Sequence, residues 1–311
     1  MMTNSLEYFS AKPKRVTRVD ETSRGGGLAS IYDFLDEPMH YAATFGLQWK
    51  KYRDVQIDRL NSTRGSYNHL QTFAQGDLSV FKNTTCLEIG SGAGRFTDYL
   101  VDLCKTVITI EPSQALTVNA ALGAPNLIAA HADLFHVPIR REKIDVVFCR
   151  GVTQHTRDPK AAIQRLFDYV RPGGIVLFDV YAFRWYTPLV TKYWLRPYLR
   201  HIDPVRFTNL AERLVPKLLR FKSRFVTPLL PNNLWGRNFG SQVIPIADFT
   251  SVKELDPQQQ LLWSVLDTVD MYTPRYDRPM TFRSIVDTLK RIGARDIQAN
   301  KSSFCFRAVA P

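Results

Sequence analysis

Short apolar runs alternate with segments of helical periodicity through the middle of the chain. The apolar runs predict strands at 84–89, 106–110, 127–130, 144–149 and 174–180. The segments between them predict helices at 95–104, 113–122 and 159–170. The chain end repeats the theme, with a predicted helix at 282–292 and a last strand at 303–308. Because strands that alternate with helices form βαβ units, the pattern predicts an α/β fold with a doubly wound, mostly parallel sheet.

The segments outside this alternation predict additions to the sheet. Residues 1–29 are polar and approach their end with three glycines, which predicts a flexible basic arm. Residues 30–80 predict a helical N-terminal lid, whose helical spacing is set by Phe45, Trp49, Tyr52, Gln56 and Leu60. The predicted organisation is an arm at 1–29, a lid at 30–80, a core at 81–180, a helical cap inserted at 181–262 and a completion of the core at 263–311.

Composition narrows the class of protein. The 311 residues are 45% apolar and 12% aromatic, which is typical of a folded protein and not of a disordered chain. No apolar run approaches the roughly 18 residues of a membrane-spanning helix, and no secretory signal is evident. The four cysteines (Cys86, Cys104, Cys149 and Cys305) lie far apart without histidines at metal-binding spacing. We therefore expect reduced thiols in a cytoplasmic protein, and no metal site.

A glycine-rich turn follows the strand predicted at 84–89. Its sequence, from Glu88 to Gly94, is Glu-Ile-Gly-Ser-Gly-Ala-Gly. Glycines at a strand-to-helix turn allow positive φ and a close approach of a ligand to the backbone. The dinucleotide pattern G-x-G-x-x-G would place its last glycine at position 95, where the chain has Arg95. This departure disfavours a nicotinamide or flavin site.

Acidic residues follow the next two predicted strands. Glu111 lies 23 residues after Glu88, and Asp133 precedes Leu134 just after the strand at 127–130. A carboxylate in the first position can accept both hydroxyls of a ribose. The aspartate can accept from an exocyclic amine while the next N–H donates to a ring nitrogen. The alternative is that both acids cap turns or helices. The co-occurrence at the ends of successive strands favours a nucleoside site.

These residues resemble the class I S-adenosylmethionine-dependent methyltransferases. The resemblance runs over 86–179 and the terminal helix and strand, and it is also carried by the segments 151–159 and 171–174. It implies a seven-stranded Rossmann-like methyltransferase fold, with S-adenosylmethionine as cofactor and S-adenosylhomocysteine as product. The cofactor contacts it implies are Glu88, Gly90, Ser91, Gly92, Gly94, Glu111, Pro112, Ser113, Asp133, Leu134, Arg150 and Gly151. Gln56, a polar residue on the apolar stripe of the predicted lid, is a further candidate contact.

His155 is the candidate catalytic residue, because it follows the fourth predicted strand at the carboxyl edge of the sheet. Relatives often carry two adjacent histidines here, and the first of them is Gln154 in this chain. The alternative is a structural loop histidine. His131 and His136 flank the predicted adenine segment and favour structural roles, and His201 lies in the predicted cap.

The net charge of +12 is concentrated in one segment. Residues 181–250 contain 11 Lys and Arg against three acids, and so hold eight of the twelve excess charges. Within them, basic residues recur at helical spacing beside an apolar stripe: Arg213, Lys217, Arg220 and Arg224 beside Leu214, Leu218, Phe221 and Phe225. Three explanations remain open, namely an anionic or lipid-linked acceptor, attachment to anionic lipid, and a solvated cap without a specific partner. Nucleic acid ranks lower, because no RNA-binding module signature is present.

The sequence as a whole predicts a methyltransferase that uses S-adenosylmethionine to methylate the oxygen of a small-molecule or glycan-type acceptor. Segments 45–49, 267–270 and 276–277 resemble a bacterial subgroup whose members often act in polysaccharide and secondary metabolism. The alternatives are a nucleic-acid methyltransferase and a non-catalytic cofactor-binding or membrane-surface protein. The predicted location is the cytoplasm, with peripheral attachment at the inner membrane surface as the second option. The oligomeric state is not predicted.

Overall fold

The structure, a computed structural model, describes residues 5–19, 29–35, 51–231, 239–240 and 243–311. The chain divides into two compact units. The first, which we call the core unit, comprises Met1–Lys50, Arg64–Phe183 and Tyr276–Pro311. The second, the insertion unit, comprises Lys51–Thr63 and Arg184–Arg275.

The core unit is built around a sheet with nine strands among the described residues. The strands are β1 (Arg15–Val19), β2 (Ala29–Asp33), β3 (Thr85–Ile89), β4 (Thr106–Ile110), β5 (Leu127–His131), β6 (Val146–Cys149), β7 (Ile175–Asp179), β8 (Arg295–Asn300) and β9 (Cys305–Val309). Their order in the sheet is β1-β2-β5-β4-β3-β6-β7-β9-β8. The pairs from β2 to β7 are parallel, and the pairs β1–β2, β7–β9 and β9–β8 are antiparallel. The seven strands from β5 to β8 confirm the predicted class of sheet, and β1 and β2 extend it.

The helices fall between the strands and in the insertion unit. The described α-helices are α1 (Arg53–Gln56), α2 (Asp58–Asn61), α3 (Gly65–Phe73), α4 (Thr97–Leu103), α5 (Ala115–Ala120), α6 (Pro159–Asp168), α7 (Thr191–Leu199), α8 (Pro204–Phe221), α9 (Pro257–Tyr272) and α10 (Phe282–Ile292). Short 3-10 helices span Ser5–Tyr8, Leu78–Phe81, Arg141–Lys143, Thr153–His155, Thr187–Leu189 and Thr227–Leu229, and a π-helix spans Lys222–Val226. None of the helices in the described ranges is long and apolar enough to cross a membrane.

Both faces of the sheet are covered, as expected for a doubly wound fold. Side chains alternate across β3, so that Leu87 packs with α6 and α10 while Cys86 packs with α3 and α4 on the other face. Every residue of β3, β4 and β6 is buried, which explains why apolar residues predominate in these strands. Local signals set the helix ends. Asp158 caps α6 by accepting from the N–H groups of Lys160 and Ala161, and Gly293 ends α10 at φ +82°.

The N-terminal residues differ from the prediction. The expected flexible arm contains a 3-10 helix and β1, and the expected helix from Ser30 begins instead with β2. Tyr8 and Phe9 are buried in the core unit. Phe9 forms a β-bridge with Ile139, far away in the chain, and the local periodicity of the sequence cannot predict such a pairing. Residues 20–28 and 36–50, with the three glycines, Phe45 and Trp49, lie outside the described residues.

The boundaries of the predicted lid and cap also differ from the two units. The predicted lid is divided, because α1 and α2 belong to the insertion unit and α3 to the core unit. The boundary predicted between the cap (181–262) and the completion of the core (263–311) falls inside α9, and the whole helix belongs to the insertion unit, where it packs on α8. Strand β8 was not predicted, because its sequence, Arg-Asp-Ile-Gln-Ala-Asn, is mostly polar.

The insertion unit has its own hydrophobic core. One face of α8 contributes residues at a spacing of four, which pack with apolar residues of α9: Phe207, Ala211, Val215 and Leu219. Helix α9 begins with a capping box between Asp256 and Gln259 and has Pro257 in its first turn. The four cysteines, all in the core unit, are buried free thiols. The part of the chain that the structure describes shows no group of metal-binding side chains.

Candidate functional site

The glycine turn follows β3 and packs tightly against its neighbours. Gly90, Gly92 and Gly94 have φ values of +73°, +54° and +97°. The N–H groups of Gly90 and Ser91 donate to the carbonyl oxygen of Ile110, at 2.8 and 3.3 Å. A Cβ atom at Gly90 would overlap Cγ2 of Val152, and one at Gly94 would lie 2.9 Å from Oδ1 of Asn119. The turn therefore requires glycine for both its conformation and its packing.

Gly90→Ala is expected to destabilise the core unit more than Gly76→Ala. Both positions have positive φ, but a Cβ atom at Gly76 meets no heavy atom within 4 Å. The two substitutions share the backbone strain, and only the first adds overlap with Val152, which costs about 1–3 kcal/mol. Urea unfolding of both variants measures the difference, and equal free energies of unfolding would contradict the packing of this turn.

Glu111 joins the glycine turn to the segment after β4. Its Oε2 accepts from the N–H of Gly92 at 3.0 Å, and its Oε1 accepts from the N–H of Ser113 at 3.1 Å. Burial raises the pKa of Glu111, and hydrogen bonds from Ser113 and Gly92 act in the opposite direction. Each carboxylate oxygen has a second lone pair, so both can accept from a ligand while they hold the turn. Pro112, between Glu111 and Ser113, presents its carbonyl oxygen to Nε2 of His131 at 3.0 Å.

Glu88 is buried at the end of β3 and linked to two helices. The hydroxyl of Thr97 donates to its Oε2 at 2.6 Å, and Nδ2 of Asn119 donates to Oγ1 of Thr97 at 3.0 Å. Burial raises the pKa of Glu88 to about 8, although the hydrogen bond from Thr97 lowers it. Asn119 also lies against Gly94. This chain of side chains ties β3, α4 and α5 together next to the glycine turn.

Glu88→Gln is expected to flatten the pH dependence of stability. Unfolded glutamate titrates near pH 4.3, and burial raises the pKa of Glu88 in the folded protein to about 8. The folded state therefore binds this proton more tightly, so the stabilisation is complete below about pH 4 and is lost as the pH rises through about 8. Glutamine cannot ionise but still accepts from Thr97. Urea unfolding between about pH 5 and pH 9 should show that the free energy of unfolding falls less with rising pH in this variant than in the parent chain. Glu142→Gln, at an exposed position, serves as control and should keep the pH dependence of the free energy of unfolding seen in the parent chain. If Glu88→Gln keeps this pH dependence as well, the buried carboxylate of Glu88 is not its cause.

Asp133 is held in a turn after β5. Its Oδ1 accepts from the N–H of Phe135 at 2.7 Å, and its Oδ2 lies 2.6 Å from Nδ1 of His136. The carbonyl oxygen of Leu134 accepts from the hydroxyl of Tyr169 at 2.7 Å. The turn-capping alternative is thus correct for one oxygen of Asp133, and the same contacts fix the direction of the Asp-Leu pair. The nucleoside contacts of the pair remain a prediction.

The segment after β6 is anchored to the end of β7. The N–H of Gly151 donates to Oδ1 of Asp179 at 2.6 Å, and the hydroxyl of Thr153 donates to the carbonyl oxygen of Asp179 at 2.7 Å. The guanidinium of Arg150 lies 5.6 Å from the centroid of the Phe96 ring. Burial raises the pKa of Asp179, and the charge of Arg150 lowers it. Asp179 was not among the predicted site residues, although an acid at the carboxyl end of a predicted strand is the same signal that identified Glu111.

His155 lies in the 3-10 helix Thr153–His155 of that segment. Its Nδ1 is 2.9 Å from the carbonyl oxygen of Tyr276, and its ring meets that of Tyr181 edge to face with centroids 5.4 Å apart. Because a carbonyl oxygen can only accept, Nδ1 carries the proton, and in the neutral ring the lone pair is on Nε2. The neighbouring Gln154 is fully buried, and its Nε2 has no hydrogen-bond partner among the described residues.

The residues of the core unit fit a nucleoside-containing ligand. The neighbouring strands β3, β4 and β5 end in the glycine turn, Glu111 and Asp133 respectively. Gly90 and Gly94 leave no room for a side chain, and the buried hydroxyl of Ser91 has no partner in the described part of the chain. A turn built on glycines at positive φ, an orphaned hydroxyl and two buried carboxylates together suit S-adenosylmethionine.

Other predicted residues lie apart from this group. Gln56 is buried in α1 of the insertion unit, and its contact with the cofactor remains a prediction. His131 lies 3.3 Å from Asp33 in addition to its contact with Pro112, which supports its structural assignment. His201 is exposed in the insertion unit.

Comparisons with known proteins identify related sequences. The family model described as "Methyltransferase domain" matches residues 56–214, just over half of the chain. A tRNA U34 carboxymethyltransferase of Desulforapulum autotrophicum is 26% identical over 57% of this chain and 58% of its own length. A ubiquinone biosynthesis O-methyltransferase of Hydrogenovibrio crunogenus is 25% identical over 47% of this chain and 58% of its own length. The chain thus covers less than two thirds of either relative.

The solved structures that align with the chain have low sequence identity to it. A structure titled "DhpI-SAM-HEP complex" aligns with a TM-score of 0.47 and 13% identity, over 89% of this chain and 100% of that one. The family is shown instead by the sequence match, which includes the glycine turn, Glu111, Asp133 and His155. The chain belongs to the class I S-adenosylmethionine-dependent methyltransferases, and S-adenosylmethionine is its cofactor.

Proposed function

We propose that the chain transfers a methyl group from S-adenosylmethionine to a hydroxyl oxygen of a small-molecule or glycan-type acceptor. The observation that carries this proposal is the fixed orientation of His155, which keeps the basic lone pair of the neutral ring on Nε2. A relative named as a ubiquinone biosynthesis O-methyltransferase supports the choice of oxygen. An alcohol is a weak acid that must lose its proton when its oxygen is methylated, so a general base assists the reaction. A neutral amine attacks through its own lone pair and depends less on a general base.

The cofactor-binding part of the proposal assigns a role to each strand end. The glycine turn (Gly90, Gly92 and Gly94) holds the methionine portion with Ser91, and Glu111 accepts from the ribose hydroxyls. Asp133 and the N–H of Leu134 flank the adenine. When bound, S-adenosylmethionine supplies a methyl carbon on a sulfonium, which is a good leaving group. The protein therefore contributes mainly alignment, for which effective molarities reach about 10⁵–10⁸ M.

The acceptor side of the proposal rests on His155. Nε2 takes the proton of the acceptor hydroxyl, while Nδ1–H stays bonded to the carbonyl oxygen of Tyr276. That hydrogen bond stabilises the imidazolium that results, because its acceptor is a backbone dipole held in the core unit. The ring of Tyr181 restricts the imidazole from one side. His155 thus accepts a proton without changing its orientation.

Two measurements test the proposed function. Calorimetry with S-adenosylhomocysteine should show binding at micromolar ligand, and its absence at high micromolar concentration would refute cofactor use. Incubation of cell extract with methyl-labelled S-adenosylmethionine should then place label in a small-molecule or glycan fraction, and alkaline stability of the labelled product distinguishes ethers from methyl esters. Binding without label transfer would support the non-catalytic alternative.

A nucleic-acid acceptor is the second candidate function. It is favoured by relatives named tRNA U34 carboxymethyltransferases and by the basic insertion unit. Nuclease treatment of the labelled extract separates the two candidates. Label released as nucleotides would establish this second function and refute the first.

A further inference from the structure

The insertion unit exposes an unusual amount of apolar surface. Of the 19 large apolar residues that are exposed in the described structure, 14 lie between positions 185 and 243. They include aromatic residues with most of their surface in solvent, such as Trp185 at 85%, Tyr198 at 77% and Trp194 at 62%. Scattered single apolar residues need no explanation, but such a concentration in one unit marks an interaction surface.

Helix α8 organises part of this surface into two stripes. Its core-facing side is formed by the residues that pack on α9. Directly opposite, at helical spacing, lie four exposed basic residues: Arg206, Arg213, Lys217 and Arg220. Beside them lies an exposed apolar stripe: Leu210, Leu214 and Phe221. Phe221 also contacts the exposed Phe225, with ring centroids 5.1 Å apart. We call the two stripes together the outer face of α8.

The acids near this helix do not neutralise the basic stripe. Asp203 caps the start of α8 by accepting from the N–H of Arg206, and Glu212 accepts from the hydroxyl of Tyr52 and pairs with Lys51. Asp248 pairs with Lys222. Within the described residues, no carboxylate pairs with a side chain of the basic stripe. Its positive charge is therefore uncompensated and faces solvent.

We propose that the outer face of α8 docks on an anionic phospholipid surface. Leu210, Leu214 and Phe221 enter the boundary between headgroups and acyl chains, and the neighbouring basic side chains extend to the phosphates. Exposed tryptophan and tyrosine side chains of the same unit are of the type enriched at that boundary. The proposal is independent of methyl transfer, since it needs neither cofactor nor acceptor.

Charge and apolar content favour lipid over the other occupants. Nucleic acid would neutralise the basic stripe but leave the exposed leucines of the apolar stripe in water. A second copy of the chain, packed symmetrically through this face, would oppose one basic stripe to another. An anionic bilayer satisfies both stripes at once, because it offers negative charge and an apolar interior together.

Flotation of the full chain with vesicles tests the proposal. We expect the chain to float with vesicles of phosphatidylglycerol and phosphatidylcholine, and to float less as salt increases. Arg213→Gln with Lys217→Gln should lower partitioning about 30-fold, since each basic residue near such a surface contributes about 1 kcal/mol. Leu210→Ser with Leu214→Ser should lower it at least about tenfold through lost apolar burial.

Matched variants separate this surface from general effects. Lys290→Gln with Arg291→Gln removes the same charge from exposed positions of α10, and Leu60→Ser removes an exposed leucine elsewhere in the insertion unit. Neither should change flotation. Failure to float with anionic vesicles would overturn the proposal, as would equal loss of flotation in the control variants. Binding of single-stranded RNA in place of vesicles, or a dimer in light scattering that Leu210→Ser with Leu214→Ser dissociates, would also overturn it.

Discussion

His155→Gln is expected to lower the rate of methyl transfer about 100-fold or more while the affinity for S-adenosylhomocysteine stays the same. Removal of a general base costs about 10²–10⁴ in rate. Glutamine can still donate to the carbonyl oxygen of Tyr276, so the 3-10 helix Thr153–His155 should keep its position. The variant removes the basic lone pair of Nε2, together with the ring contact to Tyr181. The measurement is the transfer of labelled methyl to the acceptor fraction, together with calorimetry of the same preparation.

The control for this prediction is His201→Gln, which changes an exposed histidine of the insertion unit. It should keep both the rate and the affinity of the parent chain. Two results would contradict the role of His155. A rate within about threefold of the parent would show that no base acts at this position. A parallel loss of cofactor affinity would show that the side chain supports the site structurally.

Glu111→Ala is expected to weaken the binding of S-adenosylhomocysteine about 100-fold or more. The carboxylate serves two functions in the proposed site, as acceptor for ribose hydroxyls and as acceptor for the N–H groups of Gly92 and Ser113. A hydrogen bond to a charged group contributes about 1.5–3 kcal/mol, so the loss of two from the ligand alone accounts for the factor. Calorimetry gives the dissociation constants.

Two further variants divide this effect between its causes. Glu111→Gln keeps one carbonyl acceptor but places an amide donor beside an N–H group, so its affinity should fall between those of the parent and of Glu111→Ala. Glu142→Ala removes an exposed glutamate of the core unit and should leave the affinity unchanged. If Glu111→Ala binds S-adenosylhomocysteine as tightly as the parent, the cofactor is not held at the end of β4.

The strand ends of the core unit could be predicted from the sequence because their signals are local. A buried parallel strand reads as a short apolar run, and the residue that follows it lies at the carboxyl edge of the sheet. Glu111 and Asp133 were found in this way, and both occur at the ends of adjacent strands. The hydrogen bonds of these two carboxylates could not be predicted from the sequence. That Glu111 accepts from the N–H of Gly92 depends on how β3 and β4 pair, which the sequence does not state.

Contacts between distant parts of the chain explain where the structure differs from the predictions made from the sequence. Strands β1 and β2 belong to the sheet only because β2 pairs with β5, about a hundred residues later in the chain. Helix α9 spans the predicted boundary between the cap (181–262) and the completion of the core (263–311), and its membership of the insertion unit is visible only in its packing with α8. The carbonyl oxygen of Tyr276, which holds His155, is a backbone atom, so no pattern of side chains in the sequence could predict this contact.

The two added N-terminal strands change which strand forms the edge of the sheet. In a seven-stranded sheet the edge strand would be β5, whose sequence, Leu-Ile-Ala-Ala-His, is mostly apolar. Its unpaired backbone groups would then be open to pairing with other chains. With β1 and β2 in place, the edge strand on this side, among the described residues, is β1, which is exposed and carries Arg15 and Arg18. Charged side chains on an edge strand oppose the pairing of sheets between molecules. We therefore expect the N-terminal segment to oppose self-association through this edge, and we expect a shortened chain that begins at β3 to self-associate more readily.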